Sequence, residues 1–451
     1  MDSSEPILIW RRSRSRFGRD SAFSPRWDGS STPPMDPCRD GLPAPARRRM
    51  GSRSPHRATR VLAVDHTAGV APFRKKFEAL AASPGIDLTV LAPDRWVENY
   101  RVVRATAGGQ PGYRLLTGAV GWPGYENRGF FRSGLGPAIR SVRPDVLHLW
   151  EEPFSVITFQ ALSLAAIWAP KAKAIFFSFD NLSAGFRYSY RPSWLYARIE
   201  RFAHRRCAAG TAVSEEVVQV LRAKGFRKPL EVIPHGIDLA EYSDVAQGTS
   251  DAPARRAPAE DVRGRLGLEP PVVGFVGRLL PQKGVDLLLR AVALLPSPRP
   301  SILILGDGPA RGALEGVAAD LGFGSSIRFL SGVQHDAVRG FMAAIDVLVL
   351  PSRTTPKWKE QFGRVLVEGM AAGCVVVGSS SGAIPEVVGD AGLIFPEDDV
   401  EGLAQALRRA LGEPGLGEAL RVRGRKRVRA YYTWEAIASR ITDFYARLLA
   451  A

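Results

Sequence analysis

The chain has 451 residues, 45% of them hydrophobic and 24% charged, with a formal net charge of +16. That length is more than one hydrophobic core fills, so two domains are expected, and the mixed composition of a soluble globular protein excludes a collagen-like or wholly disordered chain. Cys38, Cys207 and Cys374 lie far apart without a C-x-x-C spacing, so neither a disulfide framework nor a zinc site is indicated, which fits a reducing cytosol.

Residues 1–57 contain "WRRSRSRFGR" and "PAPARRRMGSRSPHR", rich in Arg, Ser and Pro and poor in periodic apolar positions. They read as a disordered basic tail that carries part of the net charge. Its "PILIW" is too short for a secretory signal and precedes the charges instead of following them. Translation from Met35 or Met50 accounts for the segment as well as any function does.

From Arg60 the pattern becomes regular. "RVLAVD" and "DLTVLAP" read as strands, and "PFRKKFEALAA" between them has helical spacing with Phe73, Phe77 and Leu80 on one face. This is a βαβ unit. Residues 94–143 are undetermined by pattern. "PDVLHLW" is a strand, and "PFSVITFQALSLAAIWAP", interrupted by Gln160, falls short of the ~20 residues of a membrane span and is expected as a buried helix. Strand "AIFFSF", a helix near Pro192 to Cys207, strand "GTAV", helix "EEVVQVLRAKG" and strand "LEVIP" complete a parallel doubly wound domain over residues 58–235.

Residues 236–270, rich in Ala, Pro and charge, are expected as the interdomain segment. A second alternating series runs from "VVGFVG" to "EGLAQALRRALG", giving a second Rossmann-like domain over 271–430. A last helix within 431–451 puts Ile437, Ile441, Tyr445 and Leu448 on one face and must pack on something already built.

Three stretches offer chemistry. In "VGFVGRLLPQKGVDLLLRA", Gly277, Arg278, Lys283 and Gly284 lie between a strand and a helix without Walker spacing. They suit either a diphosphate or two solvated cations. "LGDGPARG" imitates a dinucleotide fingerprint, but a lone Gly-rich turn is equally a structural device. In "KWKEQFGRVLVEGMAAG", Glu360 precedes a helix that begins near Gly363, and Glu368 lies about one turn into it. Amides of Phe362, Gly363, Arg364 and Val365 would then be open to a phosphate, with both carboxylates accepting from hydroxyl groups. The alternative is that Glu360 caps the helix and Glu368 is merely exposed. Glu386, beside a proline, belongs to a ligand-lining loop or a tight connection.

"VGRLLPQKG", "LGDGP", "EQFGRVLVEGMAAGCVVVGSSSGAIPEVVGDAGLIFPEDD" and "AVSEEV" with "VIPHGIDLAEY" resemble the retaining GT-B nucleotide-sugar glycosyltransferases, of the glycosyltransferase family 4-like, group 1 kind. The likeness spans nearly all of residues 60–451 and is most specific in the second half. It implies an α/β fold of two Rossmann-like domains facing a central cleft, with the C-terminal helix returning to the first domain.

It also implies roles. Arg278 and Lys283 would hold the donor diphosphate, Glu360 the transferred sugar, the Phe362–Val365 amides sugar and phosphate, and Glu368 the ribose. Gly277 would line the donor site, and Val333 would grip the base through its backbone. The implied function is hexosyl transfer with retention from a nucleotide-diphosphate sugar to a glycan, lipid-linked or small-molecule acceptor, with no metal and no other cofactor. A nucleotide-sugar epimerase and an inactive nucleotide-sugar-binding protein are the alternatives.

Two departures from the family pattern stand in the first domain. "DHTAGVAPF" replaces a Gly-Gly loop, leaving Gly69 as its counterpart, and "HLWEEPFS" has Trp150 where many members have a histidine, followed by Glu151. His148 in that strand reads as structural. Acid and base roles rest among His66, Glu151, Glu152 and Asp180. "GFRYSYRPSWLYARIERFAHRRC" reads either as an amphipathic helix burying Leu195, Ile199 and Phe202 or as a peripheral contact with the inner membrane face. Without a recognition module, nucleic acid is not an expected partner.

Overall fold

The computed structural model describes residues 57–98, 101–105, 108–110, 112–182, 192–242, 253–333 and 335–451. The expected basic tail lies outside these except for Arg57, as do Cys38 and residues 185–191 of the aromatic-arginine stretch.

The apolar runs become two parallel sheets. Runs such as "VLAV", "VLHL" and "VLVL" are buried throughout because helices cover both faces of a parallel sheet. The first sheet has eight strands in the order Leu230–Val232, Ala209–Ala212, Lys173–Ser178, Val146–Leu149, Thr59–Val64, Ile86–Pro93, Tyr113–Gly118 and Gly108–Gln110. The last of these pairs antiparallel with its neighbour. Six strands form the second sheet, in the order Ile327–Leu330, Ser301–Leu305, Val272–Val276, Val347–Leu350, Val375–Ser379 and Gly392–Phe395.

Four features go beyond the periodicity. Residues 94–143 hold an antiparallel pair, Arg95–Glu98 with Arg101–Arg104, the last two strands of the first sheet, the short pair Val120–Gly121 with Phe130–Phe131, and the helix Leu135–Val142. The strand pieces are too short to show a period, and Trp96 in the first of them is buried. Within 236–270, the helix Pro253–Leu266 is fastened to the second sheet, since Arg263 donates to Ala344 O at 2.9 Å and Asp346 Oδ2 at 2.8 Å. The charged run Leu416–Tyr431 is a helix that buries Leu420, Gly424 and Val428. In the helix Ser193–Arg206 the inward face is Tyr196, Ile199, Glu200 and Ala203, so Leu195, expected inside, is exposed. Lys224, 3.1 Å from Glu200, makes the buried carboxylate tolerable and turns the helix accordingly.

The last helix, Trp434–Ala450, returns to the first domain and packs on the helix Lys75–Ala81. It buries Ile437, Ile441, Tyr445 and Leu448. Thr433 accepts from Ala436 N and caps its start. At its far end the Tyr445 hydroxyl lies 2.7 Å from His148 Nδ1 in the middle of the first sheet. Burial lowers the His148 pKa to about 3, so the imidazole is neutral. Tyr445→Phe strands that buried nitrogen and lowers stability by about 1–3 kcal/mol in urea denaturation. An unchanged midpoint would show that the pair contributes nothing.

Candidate active site

The loop after strand Val272–Val276 is held by close backbone passages. A Cβ on Gly306 would come 1.8 Å from Gly277 O, and one on Gly308 2.4 Å from Leu279 O. Leu279 N donates to Asp307 O at 2.8 Å and Ala310 N to Leu279 O at 3.1 Å. "LGDGP" is thus a packing device that presses one strand-end loop against its neighbour. Gly284, at φ 66°, ends the loop where a Cβ would lie 2.0 Å from Pro351 O.

This frame presents two cations. Arg278 is exposed and pairs with no carboxylate among the described residues. Lys283 Nζ lies 2.6 Å from Glu360 Oε2 and 4.8 Å from the centre of a Trp358 ring. Ser352 Oγ donates to the same carboxylate oxygen at 2.7 Å. Glu360 is 7% exposed, so its charge is compensated where water scarcely reaches. Its carbonyl accepts from Asn181 Nδ2 and Ala383 N, both at 3.0 Å. A Cβ on Gly382 would lie 2.0 Å from that oxygen, which leaves glycine as the residue that fits.

Glu360 does not cap the following helix. Arg364–Ala371 starts from Gly363 in a left-handed conformation, φ 79°, with no cap side chain bonded to it. Its first amides remain available to an anion. Phe362 and Gly363 are buried, Arg364 is exposed, and Val365 is intermediate. Glu368 is 7% exposed and pairs with Arg364 Nε at 2.9 Å. Gly277 and the half-buried Val333 each follow a strand of the second sheet, at its carboxyl end. Open parallel sheets bind ligands at that end.

The same end of the first sheet faces these groups. Gln361 Nε2 donates to Phe179 O at 3.0 Å, Lys359 Nζ is 2.9 Å from Glu216 Oε1, and the His235 ring lies 5.5 Å from that of Phe362. Trp150 is packed between His148, Phe77 and Phe177, with Lys76 Nζ 4.4 Å from its ring centre. Gly69 is buried in the turn His66–Gly69, and a Cβ there would meet only ordinary contacts. Glu152 is buried, accepting from Ser178 Oγ at 2.7 Å and Phe179 N at 2.8 Å, and burial raises its pKa to about 8. Asp180 is 2.9 Å from Lys224 Nζ. Sequence reasoning missed Asn181, Ser352, Trp358 and Gly382, whose importance lies in contacts between distant loops and leaves no local signal.

Two parallel sheets whose carboxyl ends confront each other define a GT-B architecture. Residues 258–427 match the family Glycosyl transferases group 1, and residues 77–241 match Glycosyltransferase Family 4. A GDP-mannose-dependent alpha-(1-6)-phosphatidylinositol monomannoside mannosyltransferase of Mycobacterium tuberculosis is 30% identical over 308 residues, 65% of this chain and 76% of the relative. A 2-deoxystreptamine glucosyltransferase of Streptomyces kanamyceticus is 31% identical over 229 residues, covering 49% of this chain and 55% of that one. Among solved structures, HepE of Anabaena in complex with UDP superposes with TM-score 0.63 at 19% identity, covering 86% of this chain and all (100%) of that one. Sucrose-phosphate synthase of Thermosynechococcus elongatus gives 0.61 at 21% identity, over 87% and 99%. The chain belongs to the group 1 glycosyltransferases of GT-B fold. It is a glycosyltransferase.

Glu386 shows how the halves meet. Its Oε2 accepts from Glu215 N of the first domain at 2.8 Å. Burial, with the charges of Glu215 and Glu216, raises its pKa from 4.5 to about 7. The native state therefore holds this proton more tightly than the unfolded chain, and the stability it contributes falls as pH rises through that interval. Glu386→Gln keeps an acceptor without charge, so it should melt above the wild type at pH 8 and level with it at pH 4. A melting difference independent of pH would exclude this account.

Proposed function

We propose that the chain transfers a hexosyl unit from a nucleotide-diphosphate sugar to a hydroxyl of a glycan, lipid-linked or small-molecule acceptor, with retention of configuration and without a metal or other cofactor. The observation that carries this reading is the Lys283–Glu360 pair at 2.6 Å beside unpaired Arg278 and the open start of helix Arg364–Ala371. A diphosphate satisfies Arg278 and Lys283 together with the helix amides. Drawing Lys283 toward the phosphates frees Glu360 to accept from hydroxyls of the transferred sugar. Glu368 takes the ribose hydroxyls, and the Val333 backbone meets the base.

As the glycosidic bond breaks, positive charge grows on the sugar ring and negative charge on the departing diphosphate. Cations and amides already fixed at the latter stabilise it without reorganising. Two side-chain cations supply the charge that a divalent ion would otherwise bring. The mannosyltransferase relative is GDP-mannose-dependent and the Anabaena neighbour is in complex with UDP, so guanine and uracil donors are both candidates.

No helix among the described residues is long and apolar enough to cross a membrane. Helices Val156–Trp168 and Ser193–Arg206 pack together, with Phe159 and Phe202 ring centroids 5.2 Å apart, and expose Phe159, Ile167 and Trp168 on the one and Trp194, Leu195, Arg198 and Arg201 on the other. Such a mixture suits peripheral contact with an anionic lipid surface bearing the acceptor.

The test is a melting-temperature panel with GDP-mannose, UDP-glucose and ADP-glucose, followed by release of nucleoside diphosphate. One donor should raise the melting temperature and turn over. Glu360→Gln and Lys283→Met should each lower turnover by roughly 100-fold or more. Absence of any shift and any turnover across the panel would refute the reading.

A further inference from the structure

The first domain's wall of the cleft carries a polar cluster that the donor clamp does not use. His66 follows the central strand Thr59–Val64, and Glu151 lies just beyond the adjacent strand Val146–Leu149. Both are therefore at the sheet end from which Phe179, Asn181, Glu215 and His235 reach the second domain. Glu151 grips His66 three ways. Its Oε1 lies 2.9 Å from both the backbone nitrogen and Nδ1 of His66, and its Oε2 lies 3.0 Å from Nδ1. One face of the ring rests on Trp96, with centroids 4.9 Å apart. Nε2 is the ring edge left over, with no bonding partner among the described residues.

Asp65, His66 and Glu151 have the composition of a metal site, with one ligand atom of each within 4.8 Å of the others. Each carboxylate already faces a basic side chain. Asp65 Oδ1 accepts from Thr67 N and Oγ1 at 2.7 Å, and Lys76 Nζ lies 2.5 Å from Oδ2. Lys76 supplies the positive charge an ion would bring, so the cluster is a proton-bonded scaffold for one imidazole edge.

We infer that His66, locked through Nδ1 by Glu151, donates a hydrogen bond from Nε2 to the oxygen of the attacking acceptor hydroxyl and positions it for transfer, an inference that rests on the function proposed above. The bond uses one lone pair of that oxygen. Its other lone pair forms the new bond to the anomeric carbon as the carbon–phosphate oxygen bond breaks. The hydroxyl proton passes to the departing diphosphate, and His66 keeps its own proton throughout.

The charges around the ring support this protonation state. Burial opposes charge on His66, but the facing Glu151 carboxylate, with Asp65 and Glu126, outweighs it and raises the pKa to about 9. The nearby Lys76 is paired with Asp65. A raised histidine pKa places the donating form below pH 9 and removes it above.

The test measures release of nucleoside diphosphate from GDP-mannose and UDP-glucose between pH 6 and 10, with water as the acceptor. His66→Gln should lower kcat by about 10- to 100-fold while donor KM and the donor-induced melting shift stay at wild-type values. Wild-type kcat should fall above about pH 9, and Glu151→Gln should bring that fall down toward the ordinary histidine value of about 6.5. Should His66→Gln not fold, the alkaline limb of Glu151→Gln decides. An undiminished kcat in His66→Gln, or a limb that Glu151→Gln does not move, overturns the inference and leaves the transferase reading intact. Absence of both shift and turnover in the wild type overturns both.

Discussion

The site depends on how Glu360 is fixed. Its carboxylate is shared by Lys283 and Ser352, and its carbonyl by Asn181 and Ala383. One residue thereby joins the loop after strand Val272–Val276, the loop after Val347–Leu350, the turn at Gly382 and the opposite domain. Removing one partner of such a buried pair leaves an uncompensated charge, which costs several kcal/mol, on the order of 3–5. On the function proposed above, an incoming diphosphate would compete with Glu360 for Lys283 and so couple its own binding to release of a hydroxyl acceptor.

The two walls of the cleft solve their electrostatics differently. The second domain leaves charge unsatisfied, with an exposed Arg278 and a helix start without a capping side chain. The first domain neutralises nearly everything it buries: Asp65 by Lys76, Glu151 by His66, Glu200 by Lys224. On the function proposed above, one wall would capture the anion and the other would orient the hydroxyl-bearing acceptor. Unfilled positive charge suits a diphosphate, whereas a saturated network offers directed single bonds at little net charge.

The doubly wound alternation was legible because a parallel strand covered on both faces must be apolar along its whole length, and "VLAV", "ILIL" and "VVVG" can be little else. The strand–loop–helix setting of Arg278, Lys283, Glu360 and Glu368 was legible for the same reason. What stayed hidden is set by partners far away in sequence. Nothing local distinguishes Gly382, whose lack of a side chain is demanded by Glu360 O, or Asn181, whose bond spans 179 residues. "RVRGRKRVR" looks too charged to be structural, yet Val428 on its one apolar stripe is fully buried. Leu195 faces water because the neighbouring Glu200 found a lysine and took the inward position.

The chain passes between the domains at Gly236–Ile237 and again at Tyr432–Thr433, and these crossings are bonded to each other. Ile237 N donates to Tyr432 O at 2.8 Å, and Trp434 N to Ile237 O at 3.3 Å. A Cβ on Gly236 would lie 2.4 Å from the Trp434 ring, so the crossings sit in direct contact. Two covalent links bonded side by side tie the lobes at one place, and the bond between Glu386 and Glu215 N lies close to it, since the Tyr432 hydroxyl donates to the adjoining Val387 O at 3.3 Å.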